Sequence, residues 1–391
     1  MKRSRINRSR EPKVAVLVDT STSWGRGIIR GIHRYSRLKG AWHLYFEARG
    51  ANEQIDLPEG WRGDGIIARV GSLKFARQLK ALKIPVVNVS SIELPGARMF
   101  PTVASDVGAV GTMAASYFFE RGFRHFACLS LLGLEYVARQ QTAFVEAVEK
   151  QGCACSVYHV KSGRAAQAPD WALSSRELAL WLSSLPKPVA LLTWLGAREV
   201  IHACQQAGLL VPDEVAILAG IDDELICEVS HLPVSAVHTS YEQIGMEAAS
   251  LLERLMEGRK CPDKLRLIPP SGITTRQSTN ILAVADPKLK ASIRFMQENL
   301  HRAISMNEVA AQAGLSRRVF ERRFLDALGR PPGGYLRRLR LEKVKNLLTD
   351  TSLPVSEISG AAGFGSPEYM IYAFHAEFEI TPLQFRRRST L

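Results

Sequence analysis

Arg317, Arg318, Glu321 and Arg322 occupy one side of a segment whose apolar residues, Phe320, Phe324 and Leu328, recur every four positions. In a helix that spacing turns the apolar set inward and leaves the four charged residues facing out. Ser316 stands just before them, a residue type that caps helix N-termini, and Gly314 supplies the backbone freedom of a tight turn. Guanidinium groups on the outward first turn of a helix suit phosphate oxygens and the O6/N7 edge of guanine in a major groove. The arrangement returns 49 to 50 residues later. Glu308-Val309 through Gly314-Leu315 matches Glu357-Ile358 through Gly363-Phe364. Ser316, Phe320, Phe324, Leu328, Pro332 and Tyr335 then match Ser366, Met370, Phe374, Phe378, Pro382 and Phe385. Ser366 is the cap of the second copy, and Pro367, Glu368, Tyr369, Tyr372 and His375 are its outward residues. A solvated face explains one arginine, but the repeated frame predicts a doubled helix-turn-helix.

Between the copies, Pro331 to about Thr349 reads as one helix roughly 28 Å long. That is close to the ~34 Å between successive major-groove faces on one side of a duplex. Charge locates the same region. Of 51 Lys+Arg and 38 Asp+Glu in 391 residues, residues 1–13 carry six basic and one acidic, residues 14–280 carry 28 and 26, and residues 281–391 carry 17 and 11. A basic tail over 1–12, a neutral body over 13–280 and a basic all-helical domain over 286–388 are expected, with a boundary near 281–286 after Pro269-Pro270 and a Ser/Thr-rich stretch.

The body alternates short β-branched runs with amphipathic stretches. Val14–Asp19, Trp42–Ala48, Gly65–Arg69, Pro85–Ser90, Phe126–Ser130, Cys155–Val160, Val189–Trp194 and Val215–Gly220 read as buried strands. Arg26–Leu38, Leu73–Leu82, Val107–Arg121, Tyr136–Gln151 and Arg198–Ala207 read as helices. This order predicts parallel sheets covered by helices, and so many strands predict two α/β lobes with a cleft beyond the strand ends. Catalytic chemistry finds little support. Asp222-Asp223-Glu224 is an acidic run without a second carboxylate partner of defined geometry. No P-loop, GxGxxG after a strand, GxSxG or HExxH occurs, and six Cys without a CxxC form neither a zinc-ligand nor a disulfide pattern. No enzyme activity, metal or cofactor is expected. Val14–Val18, ended by Asp19, is too short for a signal core and no run reaches a membrane span, so a cytoplasmic location is expected.

Trp24-Gly25-Arg26-Gly27, Gly63-Asp64-Gly65-Ile66-Ile67, Asp106-Val107-Gly108 and above all Gly208–Asp223 resemble the ligand core of the LacI/GalR regulators. The resemblance implies a two-lobed, periplasmic-binding-protein-like body. Lobe one would hold about 13–122 and 237–268, and lobe two about 123–236 and 269–280. It also implies a sugar ligand touched by Trp24, Arg26, Asp106, Arg139, Trp194 and Asp222. Carboxylates and Arg take paired hydroxyls, and aromatic faces take the C–H side of a ring. Each residue has a structural alternative: core packing for the two Trp, a helix cap for Asp106, solvent for Arg26 and Arg139. Gln140 stands where the family has Arg, and Trp194 where it usually has Asp. The family's DNA-reading helices precede the core, and here only thirteen residues do so.

Arg340-Leu341-Glu342-Lys343-Val344 with Leu347-Leu348, then Ala362-Gly363-Phe364, Phe374, Thr381-Pro382 and Phe385-Arg386 resemble the DNA-binding domain of AraC/XylS regulators over about a hundred residues. Met370, His375 and Glu379 depart from its pattern, which implies fewer phosphate contacts in the second copy. The fused order resembles regulators of the xylose operon. It implies a double-stranded DNA operator, D-xylose or a related aldose as effector, RNA polymerase as partner of an activator, and a homodimer. A repressor, a sensor of another sugar and an α/β enzyme with a nucleic-acid-binding tail are the alternatives.

Overall fold

The computed structural model describes residues 11–390 except 51, 52, 54, 58, 59, 97, 162–170, 195, 260–264, 285 and 379. Most of the expected basic tail, and Glu379, lie outside the described residues. The chain forms two compact units. One holds residues up to Ser116 with Arg124–Ile281, and the other holds Tyr117–Phe123 with Leu282–Leu391.

The first unit contains two six-stranded sheets. The first part of the chain gives β1 (Lys13–Leu17), α1 (Ser23–Lys39), β2 (His43–Tyr45), β3 (Gly65–Ala68), α2 (Leu73–Ala81), β4 (Val86–Asn88), β5 (Thr102–Ser105) and α3 (Val107–Glu120). The next gives β6 (His125–Leu132), α4 (Glu135–Glu149), β7 (Cys155–Lys161), α5 (Trp171–Ser184), β8 (Val189–Thr193), α6 (Ala197–Gln206), β9 (Val215–Ala219), α7 (Glu224–Val229) and β10 (Ser235–His238). The chain then returns through α8 (Tyr241–Met256) and β11 (Leu265–Ile268) to the first sheet and ends in β12 (Gly272–Thr274) of the second. The orders are β11-β5-β4-β3-β1-β2 and β12-β10-β9-β8-β6-β7. Every pairing is parallel except β10 with β12.

β3, β8 and β9 are buried at every residue, as strands covered by helices on both faces must be. One expected strand differs in extent, and five further elements were not legible. The strand expected over Trp42–Ala48 is only His43–Tyr45, an edge strand between buried Trp42 and exposed Phe46. β5, β10, β11 and β12 are three or four residues long, too short to show a period. α8 lies in the return segment, packed on α1 through Tyr241, Ile244, Ala248 and Leu252.

The second unit is helical: α9 (Pro287–Glu298), α10 (Met306–Gln312), α11 (Arg317–Leu328), α12 (Pro332–Asp350), α13 (Val355–Ala361), α14 (Pro367–Phe378) and α15 (Pro382–Thr390). It has two cores. Ile293, Met296, Val309, Phe320, Phe324 and Leu328 form one with Tyr335 and Leu336 from the first half of α12. Ile358, Phe364, Met370 and Phe374 form the other with Leu341, Val344 and Leu348 from its second half. α12 is therefore the shared wall of two helix-turn-helix modules, and the doubled all-α domain follows the two-lobed α/β body as the sequence predicts.

Candidate ligand cleft and DNA-reading helices

Trp24 lies in the first turn of α1, half-buried, with the Arg69 guanidinium carbon 5.5 Å from its ring centroid. Arg69 is held in turn by Asp19, fully buried at the end of β1, at 3.2 Å. Asp19 also accepts from the Thr22 hydroxyl, and Thr22 caps α1 at Gly25 N. Arg26 turns back onto its own loop and donates to the carbonyls of Thr20 (3.2 Å) and Ser21 (2.7 Å). Asp106 serves as a helix cap, its Oδ1 accepting from Ala109 N at 2.9 Å.

The second lobe brings Gln140, Trp194 and Asp222 to the same ends of the strands. Trp194 meets Tyr136 edge to face at 5.2 Å, and burial pushes the Tyr136 hydroxyl up against the opposing pull of Arg69. Gln140 is 2 % exposed and rests on the backbone of Gly220: a Cβ at 220 would stand 2.1 Å from Gln140 Nε2, so a larger residue there would displace the amide. That Nε2 has no protein hydrogen-bond partner. Asp222 is ion-paired to Arg276 at 3.2 Å, and its Oδ1 accepts no hydrogen bond. Ser23, beside Trp24, donates its hydroxyl to the Asp222 carbonyl (3.2 Å) and to Asp223 Oδ2 (2.9 Å), which brings α1 against the β9–α7 loop. Arg139 spends its guanidinium on Glu93 (2.8 Å) and on the Ser91 carbonyl (3.1 Å).

Trp24 thus meets Arg69, itself held by Asp19, Trp194 meets Tyr136, and Asp222 meets Arg276, four partners the sequence reading did not single out. Asp19 and Arg69 each stand at the end of an expected strand, the position where ligands of such sheets bind. Arg276 and Tyr136 carried no comparable signal.

In the second unit Gly314 and Gly363 take φ of +59° and +74°, the left-handed turn residues of the two modules. Arg317, Arg318 and Arg322 are exposed on α11, and Glu321 is half-buried beside Arg317 at 2.8 Å. On α14, Glu368, Tyr369 and Tyr372 are exposed, and Pro367 is half-buried. The two caps differ. Ser366 accepts from Tyr369 N at 3.2 Å, whereas Ser316 holds the cap position of α11 without a side-chain cap bond, which leaves its hydroxyl for other partners.

Three family descriptions match consecutive parts of the chain: XylR N-terminal domain over residues 13–106, periplasmic binding protein-like domain over 115–279, and helix-turn-helix domain over 309–388. Taken together, these matches make the chain similar to regulators of the XylR type over most of its length. It is 28% identical over 382 residues to the xylose operon regulatory protein of Haemophilus influenzae, covering 96% of this chain and 98% of the relative. It is 26% identical to that of Escherichia coli K12 over 96% of both chains. A solved structure of xylose-binding transcription activator xylR superposes with a TM-score of 0.61 at 24% identity, over 97% of this chain and 98% of the other. Among the described residues no group of His, Cys, Asp and Glu could hold a metal ion, and no helix is long and apolar enough to cross a membrane.

Proposed function

We propose that the regulator binds an aldopentose, D-xylose or a close relative, in the cleft and activates genes for its breakdown by binding operator DNA through α11 and α14. The observation that carries the ligand reading is the buried Gln140 amide without a protein partner, packed against Gly220 just after β9, two residues before Asp222. A buried donor of that kind costs free energy until a ligand accepts from it. A neutral amide, where related sugar cores carry Arg, favours a hydroxyl over a carboxylate or phosphate on the ligand. Trp24 and Trp194 offer aromatic surface to ring C–H groups, as sugar recognition needs. Arg26, Asp106 and Arg139 then act one step back, by fixing the β1–α1 loop, the start of α3 and the loop after β4.

The same reading places a homodimer on DNA in the cytoplasm, with RNA polymerase as the second macromolecular partner and no turnover of the sugar. Calorimetry of the full chain with D-xylose, L-arabinose and D-glucose tests the ligand. Heat only with a hexose would replace the pentose, and a chemically altered sugar recovered after incubation would favour an enzyme.

A further inference from the structure

Glu120 is the last residue of α3 and belongs, with Tyr117–Phe123, to the second unit. Its Oε1 lies 2.6 Å from Arg338 Nε and 3.8 Å from Arg330 Nη1. Burial pushes the Glu120 carboxyl above its ordinary value, against the pull of Arg338, Arg330 and Arg121. Arg338 lies near the middle of α12, between the residues given to the two cores, and its Nη1 is 3.2 Å from Glu377 Oε1 on α14. One guanidinium therefore joins the end of α3, the shared helix and the second reading helix.

Glu377 sits ten residues beyond Pro367, at the end of α14 opposite Glu368, Tyr369 and Tyr372. Met370 and Phe374 press one face of α14 on α12. An apolar contact of that kind is non-directional and resists separation more than tilt. The Arg338 guanidinium meets the two carboxylates through different nitrogens, Nε toward Glu120 in an ion pair without a hydrogen bond and Nη1 toward Glu377, a span that a compact ammonium lacks. Glu377 and Arg338 are each about one-third exposed, and ion pairs in that setting add little to folding stability. Their effect falls on orientation.

We infer that Arg338, held by Glu120, is a positioning residue that sets the angle at which α14 meets DNA. The inference rests on the proposed reading of DNA by α11 and α14. The test uses the full-length chain, a duplex of ~30 base pairs selected by that chain from a random pool, and hydroxyl-radical footprinting. Wild type protects two groove faces about one helical turn apart. Glu377→Gln, Arg338→Lys and Glu120→Gln each lose protection at the α14 face and keep the α11 face. Affinity falls roughly tenfold, because one of two tethered contacts is gone, and thermal unfolding of Glu377→Gln and Arg338→Lys matches wild type. Retention of both faces with affinity within about twofold in Glu377→Gln and Arg338→Lys would overturn the inference. Loss of both faces with lowered unfolding temperature would do the same, by assigning these residues to folding. A wild-type chain that protects no duplex would instead remove the DNA reading on which the inference stands.

Discussion

Asp222 and Arg276 stand 3.2 Å apart with side chains 8% and 11% exposed, a nearly buried pair in which each charge answers the other. Arg276 also donates to the Val234 carbonyl at 2.9 Å and reaches Glu228 at 3.6 Å on the rim. Removing one member of such a pair leaves an uncompensated buried charge, which costs about 3 to 5 kcal/mol. Asp222→Ala should therefore lower the unfolding temperature of the body as well as sugar affinity. The double variant Asp222→Asn/Arg276→Met should recover most of the stability while sugar binding stays weak. If the double variant binds sugar as wild type does, Asp222 serves only the ion pair.

Gln140 gives the opposite pattern. Its Nε2 has no protein partner, so Gln140→Leu removes a buried polar group at nearly constant volume, and stability without sugar should be unchanged or higher. The sugar loses a hydrogen bond in a desolvated site, worth about 1 to 3 kcal/mol, or roughly 5- to 150-fold in Kd. Thermal unfolding without sugar and calorimetry with D-xylose check the two signs together. A fall in both would identify Gln140 as a packing residue.

These two residues show how far the sequence reaches. The stretch Val211–Asp223 carries strand, turn and acidic run in one continuous segment, which places Asp222 just past a strand end, and the family resemblance makes it a ligand candidate. Its partner Arg276 lies 54 positions on, beyond three short strands that show no period, and only the closed topology brings the two together. Arg139 illustrates the converse. Residue type suits a sugar hydroxyl, but Glu93 and the Ser91 carbonyl take its guanidinium, and neither contact follows from spacing. In the second unit the repeat of about fifty residues makes both modules legible. The membership of Tyr117–Phe123 in that unit is invisible, since those residues are more than 150 positions away from the helices they accompany.

That membership bears on how DNA binding is measured. A fragment of residues 281–391 lacks Phe118, Gly122 and Phe123, and Gly122 lies within contact distance of Val284 and Leu328. The fragment should be less stable than the same domain in the full chain, so binding is best measured on the full chain. Arg318→Ala removes one exposed cation from α11 and should reduce the slope of log K against log salt by about one. Glu368→Ala on α14 removes an acidic group and should leave or raise affinity at low salt. Titrations across salt concentration that give an unchanged slope for Arg318→Ala would place its side chain off the phosphates.

Cys227 on α7 feels the charges of the Asp222–Arg276 pair. Burial pushes its thiol up to about 11, with Asp222 adding to the rise and Arg276 opposing it. The thiolate is the reactive form, so at pH 8 only about one molecule in a thousand is reactive, and alkylation should rise tenfold per pH unit up to about 11. Cys204, pushed up to about 12, should respond later. Mass mapping after iodoacetamide treatment at pH 8 and pH 10 checks the order, and rapid Cys227 modification at pH 8 would mean that α7 opens readily.

Sugar and operator should each tighten the other. A ligand core and a DNA module in one chain regulate only if the ligand favours one of two states in DNA binding, and closure of two lobes about the ligand is such a two-state element. A homodimer adds avidity, because two tethered modules that match the operator spacing bind together. A coupling of about 1 to 3 kcal/mol changes DNA affinity by roughly 5- to 150-fold, and linkage requires the same factor in sugar affinity when operator is present. Gln140→Leu should reduce the sugar-dependent gain in DNA affinity at a fixed sugar concentration and leave DNA affinity without sugar unchanged. Both affinities are measured on the full chain, calorimetrically for sugar and by titration for a selected duplex. Equal values with and without the other ligand would falsify control through DNA affinity and direct the sugar's effect to contact with polymerase.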